Sequence, residues 1–487
     1  MSTRPLRFFH RGAIRTVEGP RTTSTVLQWL RETARCTGTK EGCAEGDCGA
    51  CTMLVGELVD NQLQLRNLNA CTMFLPALDG HALLTVEDLG GSDDLNPVQQ
   101  AMVDCHGSQC GFCTPGFVCT LQAVYEQHEA APTRAALADA LSGNLCRCTG
   151  YRPILDAGQR MFELPPRRIE RAPIEAALRE LARDPSLDCA DGAARFFAPR
   201  TLDELAALCA QHAGARLLAG GTDVALWVNK QFRELPVLIY TGRVAALRHI
   251  ETLADGGLLI GAAVSLEDAW AALAVRHPEL TELWRRFASP PVRHAGTLGG
   301  NIANGSPIGD GAPALIALDA QLLLRRGAQR RRLALEHFYL DYMKNALQPG
   351  EFVEAIEVPA AAPGMRLTAH KISKRFDSDI SAVCGVFATR VEQGRVHDVR
   401  LVFGGMAGIV KRAARAEAAL HGQPFDGAAL RAAQDALADD FQPLTDLRAS
   451  SAYRRRVARA LLERHWLHTR EADSLPASDL SVWEFTP

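Results

Sequence analysis

The chain has 487 residues, of which 47% are hydrophobic and 22% charged, as is ordinary for a globular protein of several domains. Its 53 Lys and Arg residues against 56 Asp and Glu residues give a net charge of −3, which argues against nucleic acid or an anionic membrane surface as a partner. We find neither the apolar run of a signal peptide nor a stretch of about 18 apolar residues, so we expect a cytoplasmic protein without a membrane span.

The N-terminal region is predicted to contain short strands and turns, with one helix in "TSTVLQWLRETA" that begins near Ser24 or Thr25. It also contains "CAEGDCGAC" at 43–51, followed by Cys71. The spacing C-x4-C-x2-C with a distant fourth cysteine is typical of a plant-type [2Fe–2S] cluster. Gly46 and Gly49 would let backbone N–H groups approach the sulfurs. Zinc is the alternative, although structural zinc sites usually combine two short cysteine pairs.

The next region, residues 96–162, contains the helical runs "NPVQQAMVDCH", "TPGFVCTLQAVYEQH" and "TRAALADALSGN". Pro115 and Thr133 mark two predicted helix starts, and Gly143 marks a predicted stop. A C-x2-C pair and a C-x-C pair lie at the ends of these helices, where the helix dipoles would stabilise an anionic cluster. Zinc remains open on spacing alone. The members of this second group are Cys110, Cys113, Cys146 and Cys148.

The remaining cysteines lack matching spacing. In a reducing compartment, clustered cysteines indicate metal ligands, and isolated ones are usually small buried side chains. We therefore expect core packing for Cys36, Cys105, Cys119, Cys189, Cys209 and Cys384.

A Pro-rich, charged stretch at 163–173 is a candidate linker, and an α+β region follows from about residue 190. Two glycine-rich loops in that region, "LLAGGTD" at 217–223 and "AGTLGGNIANGSPIGD" at 295–310, would let backbone amides approach a pyrophosphate. Tight structural turns are the alternative interpretation. No strand precedes "GDGAPA" at 309–314, so we expect a flavin on a scaffold other than a Rossmann fold.

These segments resemble the xanthine dehydrogenase and aldehyde oxidase family. The resemblance to its iron–sulfur part rests on "GTKEGCAEGDCGACTML", "NACTMFLPALDGHALLTVEDL", "HGSQCGFCTPGF" and "SGNLCRCTGYRPI". The two glycine loops resemble its FAD domain, and "HKISKRFDSDIS" at 370–381 resembles the start of its flavin-adjacent C-terminal domain.

The resemblance implies an α+β multidomain protein. The expected parts are a β-grasp plant-type ferredoxin domain (1–89), a four-helix [2Fe–2S] domain (90–162), a linker (163–189), an α+β FAD-binding domain of the PCMH or vanillyl-alcohol-oxidase type (190–365), a C-terminal α+β domain as in carbon monoxide dehydrogenase flavoproteins (366–472) and a tail (473–487).

The resemblance also implies site residues. A first cysteine set would ligate the cluster nearer the flavin, and it comprises Cys43, Cys48, Cys51 and Cys71. A second cysteine set would ligate the cluster nearer molybdenum, and it comprises Cys110, Cys113, Cys146 and Cys148. Gln109 would lie against the partner's pterin. The implied FAD contacts are Leu217, Leu218, Ala219, Gly220, Gly221, Thr222, Asp223, Val224, Phe287, Thr297, Leu298, Gly299, Gly300, Asn301, Asp310, Val353 and Lys371.

The order of the domains resembles the small subunit of a bacterial xanthine dehydrogenase, in which the molybdopterin domain is a separate large subunit. The resemblance implies a heterotetramer of two small and two large chains, two [2Fe–2S] clusters, FAD, and NAD as electron acceptor. Purine hydroxylation would belong to the partner, so no catalytic residue for that step is expected on this chain. Arg375 would lie close to the flavin, and an ion pair with Asp377 or Asp379 is its alternative role.

Other functions are compatible with the same motifs. The partner could oxidise nicotinate, an aldehyde or another heterocycle, and oxygen could replace NAD. A free-standing NADH-linked iron–sulfur flavoprotein and a zinc-stabilised scaffold without flavin are further alternatives.

Overall fold

The computed structural model describes residues 3–91 and 93–480. The described residues form two compact units. The first unit contains those of Met1–Ala246 with Ser265–Glu267 and Ala288–Thr297, and the second contains Leu247–Val264, Asp268–Phe287 and those of Leu298–Pro487. The predicted FAD-binding segment is therefore divided between the two units.

The N-terminal segment of the first unit is a mixed sheet with one short helix. Its elements are β1 (Leu6–His10), β2 (Ala13–Val17), α1 (Val26–Gln28), β3 (Thr52–Val59), β4 (Gln62–Asn69) and β5 (Ala82–Leu84). The strand order is β2-β1-β5-β3-β4, in which only the β1–β5 pair is parallel among these described strands. Thr25 and Gln28 form a capping box, and the chain continues from α1 into a π-helical turn over Trp29–Thr33. The predicted helix start near Thr25 is confirmed.

In the described part of residues 90–162, four helices follow one another: α2 (Pro97–Asp104), α3 (Thr114–Gln127), α4 (Arg134–Ala140) and α5 (Arg152–Arg160). Asn96 caps α2 and Thr133 caps α4, so each supplies an acceptor to an otherwise unpaired backbone N–H. Pro115 lies in the first turn of α3, as predicted.

The predicted linker at 163–189 contains a helix, α6 (Arg171–Leu181). Ile174, Leu178 and Leu181 recur at helical spacing, and all three are buried in the same core as the apolar side chains of β4. The linker prediction did not include this helix. The helical spacing of these apolar residues is difficult to recognise in the sequence, because the stretch is short and prolines and charged residues surround it.

The rest of the first unit contains a second sheet. Its elements are β6 (Leu187–Asp191), β7 (Ala194–Ala198), α7 (Leu202–Gln211), β8 (Arg216–Leu218), α8 (Val224–Asn229) and β9 (Val237–Tyr240). The strand order is β6-β7-β9-β8, with β7 and β8 each parallel to β9. A capping box between Thr201 and Glu204 starts α7. The apolar stretches "ARLLAGG" and "PVLIYTG" contain β8 and β9.

The chain then continues through β10 (Ile250–Thr252), β11 (Leu258–Gly261), α9 (Leu266–Arg276), α10 (Thr281–Arg286), α11 (Pro290–Ala295), α12 (Leu298–Asn304), α13 (Gly311–Ala317), β12 (Gln321–Arg326), β13 (Gln329–Ala334), β14 (Tyr339–Asp341), β15 (Lys344–Asn345) and β16 (Phe352–Val358). Helix α11 belongs to the first unit. In the second unit, β10-β11-β16-β12-β13 form an antiparallel sheet.

The C-terminal segment of the second unit packs helices on an antiparallel sheet. It comprises β17 (Met365–Ile372), β18 (Val383–Glu392), β19 (Arg395–Gly404), β20 (Lys411–Arg412), α14 (Ala414–Leu420), α15 (Gly427–Asp440), α16 (Ser451–Thr469) and α17 (Ala477–Leu480). Phe387 and Phe403 from the sheet share a core with Leu437 of α15 and Leu461 of α16. Of the predicted tail at 473–487, residues 481–487 lie outside the described residues.

Within residues 3–91 and 93–480, none of the helices combines the length and the apolar character that crossing a bilayer requires.

Candidate functional site

The first cysteine set comes together in the first unit. The sulfur of Cys43 contacts the thiols of Cys48 and Cys71, and the thiol of Cys51 also contacts that of Cys71. Cys51 and Cys71 are buried, whereas Cys43 and Cys48 are half-buried. Residues separated by up to 28 positions in the sequence thus present their thiols to one small volume, which fits the donor set of a bound cluster.

Two glycines shape the loop of the first set. Gly46 has a φ of 83° and Gly49 a φ of 69°, in the left-handed region that side chains rarely adopt. The side-chain amide of Asn69, at the end of β4, donates to the carbonyl oxygen of Gly46 over 2.8 Å. The end of β4 therefore stabilises this turn through the Asn69 side chain.

The thiols of the first set share hydrogen bonds, so their pKa values move in opposite directions. The pKa of Cys43 is lowered because the thiols of Cys48 and Cys71 hydrogen-bond to its sulfur, and the pKa of Cys51 is lowered chiefly by the thiol of Cys71. The same hydrogen bonds, together with burial, raise the pKa of Cys48 and Cys71. The backbone N–H of Cys48 also lies 3.3 Å from the sulfur of Cys43. Four cysteines in one small volume are the donor set that a [2Fe–2S] cluster requires, so the residues present fit the expected group.

Two residues at the end of α8 bind the first cysteine loop from another side, and no sequence pattern marks either of them. The side-chain amide of Asn229 donates to the carbonyl oxygens of Cys71 and Ala44 over 2.8 and 3.2 Å. The Lys230 ammonium donates to the carbonyl oxygen of Cys43. The helix that follows the first glycine-rich loop is thus attached directly to the cysteine loop.

The second cysteine set forms two thiol pairs. Cys110 contacts Cys148, and Cys113 contacts Cys146. A [2Fe–2S] cluster takes four cysteine ligands. The two thiol pairs of the second set therefore fit the donor set of a two-iron cluster.

The second set is more exposed than the first. Cys110 and Cys148 are exposed, and Cys113 and Cys146 are half-buried. The pKa of Cys110 is lowered, first by the backbone N–H of Phe112 and then by the thiol of Cys148. Cys113 immediately precedes the 14-residue helix α3, so the positive end of that helix dipole lies at this set. The predicted position of this pair at a helix start is confirmed.

The two cysteine loops touch each other inside the first unit. The backbone N–H of Leu145 donates to the carbonyl oxygen of Cys48 over 2.9 Å. A Cβ added at Gly49 would lie 2.1 Å from the carbonyl oxygen of Gly143, and one added at Gly116 would lie 2.1 Å from that of Gly49. This contact has no room for side chains, so the glycines set how closely the two loops approach.

The first predicted flavin loop, at 217–223, also lies in the first unit. Strand β8 ends within it and α8 follows it. A Cβ added at Gly220 would lie 1.8 Å from the carbonyl oxygen of Ala295. Gly221 has a φ of 77°, and a Cβ there would lie 2.7 Å from the carbonyl oxygen of Thr72, the residue after the last ligand of the first set. Both glycines are required by backbone contacts as well as by turn geometry.

In the second unit, the structure brings together two of the predicted flavin residues. The Lys371 ammonium donates to Oδ2 of Asp310 over 2.6 Å and to the hydroxyl of Ser381 over 2.9 Å. The Ser381 hydroxyl in turn donates to Oδ1 of Asp310 over 2.6 Å. All three residues are buried. Ser381 was missed by the sequence analysis, because a serine ten residues from the lysine carries no signal until the strands pair.

The other predicted flavin residues of the second unit occupy separate elements. Gly299 lies on α12, where its N–H donates to the carbonyl oxygen of Ala262 over 3.0 Å. The ring of Phe287 lies 6.1 Å from that of Trp270, and Val353 is a buried residue of β16. The predicted flavin residues therefore fall in both units, with Leu217, Leu218, Ala219, Gly220, Gly221, Thr222, Asp223, Val224 and Thr297 in the first, and Phe287, Leu298, Gly299, Gly300, Asn301, Asp310, Val353 and Lys371 in the second.

Two further predicted residues lie on exposed loops. Gln109 is exposed, next to Cys110 of the second set. Arg375 forms an ion pair with Asp379, with 3.8 Å between the guanidinium and carboxylate atoms, and its backbone N–H donates to the same carboxylate. The ion pair proposed as the alternative role of Arg375 is therefore present.

The isolated cysteines are packing residues with one partial exception. Cys105 is half-buried, because it lies at the end of α2, whereas its counterparts are buried as predicted: Cys36, Cys119, Cys189, Cys209 and Cys384.

Comparison with known proteins matches the sequence to four families, in the predicted order. Residues 8–76 match the family described as 2Fe-2S iron-sulfur cluster binding domain, and residues 85–159 match [2Fe-2S] binding domain. Residues 192–361 match FAD binding domain in molybdopterin dehydrogenase, and residues 368–469 match CO dehydrogenase flavoprotein C-terminal domain. The chain thus carries two [2Fe–2S]-binding domains and one FAD-binding domain, and the predicted fold class is confirmed.

Curated relatives include xanthine dehydrogenase of Drosophila subobscura, which is 32% identical over 96% of this chain and 39% of its own length. Xanthine dehydrogenase of Emericella nidulans is 32% identical over 90% of this chain and 36% of its own. Xanthine dehydrogenase/oxidase of Rattus norvegicus is 31% identical over 79% and 33%. The chain therefore spans about two fifths or less of these relatives.

Among solved structures, a chain of carbon monoxide dehydrogenase from Hydrogenophaga pseudoflava is 31% identical, with a TM-score of 0.53 over 55% of this chain and 94% of that one. A chain of quinoline 2-oxidoreductase from Pseudomonas putida 86 shares the fold, with a TM-score of 0.52 at 23% identity over 57% of this chain and 97% of that one. The domains and relatives together define the iron–sulfur and FAD part of a molybdenum hydroxylase. The chain belongs to the family of xanthine dehydrogenase and carbon monoxide dehydrogenase iron–sulfur and flavin chains.

Proposed function

We propose that this chain is the electron-transferring small subunit of a xanthine dehydrogenase of the bacterial type. It would act with a separate molybdopterin-binding large subunit that oxidises hypoxanthine and xanthine, and it would pass the electrons to NAD. The observation that carries the proposal is the pair of cysteine sets in one compact unit, one exposed and one largely buried. Such an arrangement suits electrons that enter at the surface and move inward.

The exposed second set supplies the face for the partner. Phe112 and Leu145, which flank the two cysteine pairs, keep 46% and 41% of their surface exposed. Exposed apolar side chains around a functional group are typical of a protein interface. Gln109 lies on the same loop as Cys110 and would meet the partner's pterin. The large subunit would therefore cover a surface that this chain leaves open.

The first set lies next to the predicted phosphate loop within the same unit. Gly221 approaches the backbone of Thr72, and Asn229 binds the carbonyl oxygen of Cys71. These contacts hold the cysteine loop and the glycine-rich loop in a fixed relation. When bound, the two clusters supply one-electron carriers, and FAD supplies a group that accepts single electrons and releases a hydride to NAD.

Another molybdenum hydroxylase of the same architecture is the second candidate. It is favoured by the 31% identity to a chain of carbon monoxide dehydrogenase, which is close to the identity with the xanthine dehydrogenases. In that case the partner would oxidise an aldehyde, nicotinate or another heterocycle, and oxygen could replace NAD. The role of this chain would be the same.

The test is to produce the chain alone and together with the proposed molybdopterin-binding large subunit. Alone, it should hold about four irons in two spectroscopically distinct [2Fe–2S] centres and one FAD. It should reduce dyes with NADH but leave xanthine unchanged. Together, the chains should oxidise xanthine with NAD, in the soluble fraction of the cytoplasm, with the mass of a two-plus-two tetramer.

Several results would contradict the proposal. About two irons per chain, or stoichiometric zinc, would contradict the proposal that the chain holds a second [2Fe–2S] cluster. Xanthine turnover by the isolated chain would overturn the subunit assignment. Turnover of nicotinate or an aldehyde in place of xanthine would favour the second candidate.

A further inference from the structure

A buried polar network lies where the two cysteine loops touch. The side-chain amide of Asn144 donates to the carbonyl oxygen of Gly49 and to the hydroxyl of Thr52, each over 3.1 Å. Its carbonyl oxygen accepts the hydroxyl hydrogen of Thr120 over 2.7 Å. Asn144 is 2% exposed and the two threonines are 1% exposed. Asn144 thus precedes the second set's Cys146 by two residues and binds the turn of the first set.

The network extends to two further elements of the same unit. The side-chain amide of Asn67, on β4, donates to the Thr120 hydroxyl over 3.3 Å. Nδ1 of His294, on α11, lies 3.2 Å from the carbonyl oxygen of Asn67. A Cβ added at Gly143 would lie 2.7 Å from the side chain of Pro291 on the same helix. The Asn144 carboxamide is therefore held by the Gly49 turn, strand β3 and helix α3, and α11 lies against the neighbouring Asn67 and Gly143.

A network of this kind is costly unless it is complete. Each buried polar group requires a partner, and removing one member leaves the others unpaired in a place that water does not reach. Apolar side chains could fill such a contact at no such cost, but they would fix its geometry less uniquely. The contact that the network surrounds is the hydrogen bond from the Leu145 N–H to the carbonyl oxygen of Cys48.

We propose that Asn144 is a positioning residue for electron exchange between the two cysteine sets. Its carboxamide, oriented by Thr120, holds the Gly49 turn against the segment that carries Cys146 and Cys148 and so fixes the separation of the two bound clusters. The inference rests on the proposed function, because both sets must be loaded.

The experiment uses isosteric pairs in the full-length chain. Thr120→Val removes the hydroxyl at nearly constant volume, and Thr120→Ser retains it. Asn144→Asp removes both donated hydrogen bonds, and Asn61→Asp is its matched control, because the Asn61 side chain makes only an exposed hydrogen bond with Arg179 among the described contacts. Iron, sulfide and FAD contents come first. The magnetic interaction between the two centres is then measured by EPR after reduction with dithionite, which requires neither NAD nor a partner.

We expect fully loaded T120V and N144D to show an altered magnetic interaction, with T120S and N61D like the wild type. After mixing with NADH and rapid freezing, the signal of the second centre should appear several-fold later in T120V and N144D, because electron transfer slows steeply as the separation of two centres grows.

Two results would overturn the inference. One is a wild-type interaction and wild-type transfer in a loaded T120V or N144D. The other is failure of both variants to load while T120S loads normally, because that would assign the network a folding role alone. Absence of two centres from the wild-type chain would instead contradict the proposed function.

Discussion

The two cysteine sets have the same number of thiols but opposite surroundings. The first set is enclosed by its own chain, through Asn69, Asn229 and Lys230, and two of its cysteines are buried. The second set presents Cys110 and Cys148 at the surface, beside exposed apolar side chains. The difference shows that ligand number does not determine exposure. What differs is how much of this chain packs around each cysteine loop.

The largest expected effects come from removing one cysteine ligand from each set and comparing the two variants. We expect Cys51→Ser to lose the first centre and much of the FAD, because the buried set also supports the loop at 217–223. Cys148→Ser should lose about half of the iron. It should retain FAD and NADH-dependent dye reduction, but transfer from xanthine in the complex should be strongly slowed. Iron, FAD and the two activities are measured in parallel, and equal loss of both activities in a folded C148S would contradict the assigned order.

A glycine in each loop gives a second comparison. Gly49→Ala should destabilise the protein by about 3 kcal/mol or more, because the new Cβ would overlap Gly143 and the φ is positive. Gly111→Ala should cost only about 1–2 kcal/mol, since its φ is also positive but nothing lies within 4 Å of the Cβ. Urea unfolding of the two variants measures the difference, and similar losses would show that the second loop is equally constrained.

Acid should weaken the region of the first set through His294. Burial lowers the pKa of His294 to about 4, with smaller effects from the nearby Arg66, Glu267 and Arg293. Between pH 6.5 and about 4 the unfolded chain therefore binds a proton that the folded chain does not, so stability falls as the pH falls through this window.

His294→Gln keeps a donor for the Asn67 carbonyl but does not titrate. Relative to this variant, the wild type should lose up to about 3 kcal/mol of unfolding free energy between pH 7 and pH 4. Urea unfolding at a series of pH values provides the measurement. Parallel pH profiles for the two proteins would show that His294 is solvated.

The smallest expected effect tests whether α8 stabilises the loop of the first cysteine set. Asn229→Ala leaves two carbonyl oxygens without their donor and should cost about 2 kcal/mol. Asn61→Ala removes only an exposed hydrogen bond, at a φ of 65° that Asn tolerates better than Ala, and it should cost about 1 kcal/mol. A shift in the midpoint potential of the first centre alone would accompany the first change. An unchanged stability and potential would mean that the cysteine loop holds its shape without α8.

Most of the local structure could be predicted from the sequence. Thr25, Asn96 and Thr133 cap helices in the predicted regions, since a cap depends on residues three positions apart. Cysteine spacing likewise predicted which thiols would meet. Asn144, Asn229 and Ser381 could not be predicted, because their partners lie 95, 158 and 71 residues away. A polar residue in a loop has no pattern of its own until the tertiary contact exists.

The hydrogen bond between His294 and Asn67 joins positions 227 residues apart. Cys71, the second cysteine set and the linker helix α6 are synthesised between Asn67 and α11, and the other ligands of the first set are synthesised just before Asn67. During translation, β4 therefore leaves the ribosome long before α11 can cover it. Native contacts between residues this far apart in the sequence form slowly. A domain that emerges from the ribosome can fold only with the part of the chain that has already been synthesised. The first cysteine loop would have to wait for α8 and α11 before it reached its final shape, so cofactor insertion should follow completion of the flavin segment rather than emergence of the ligands.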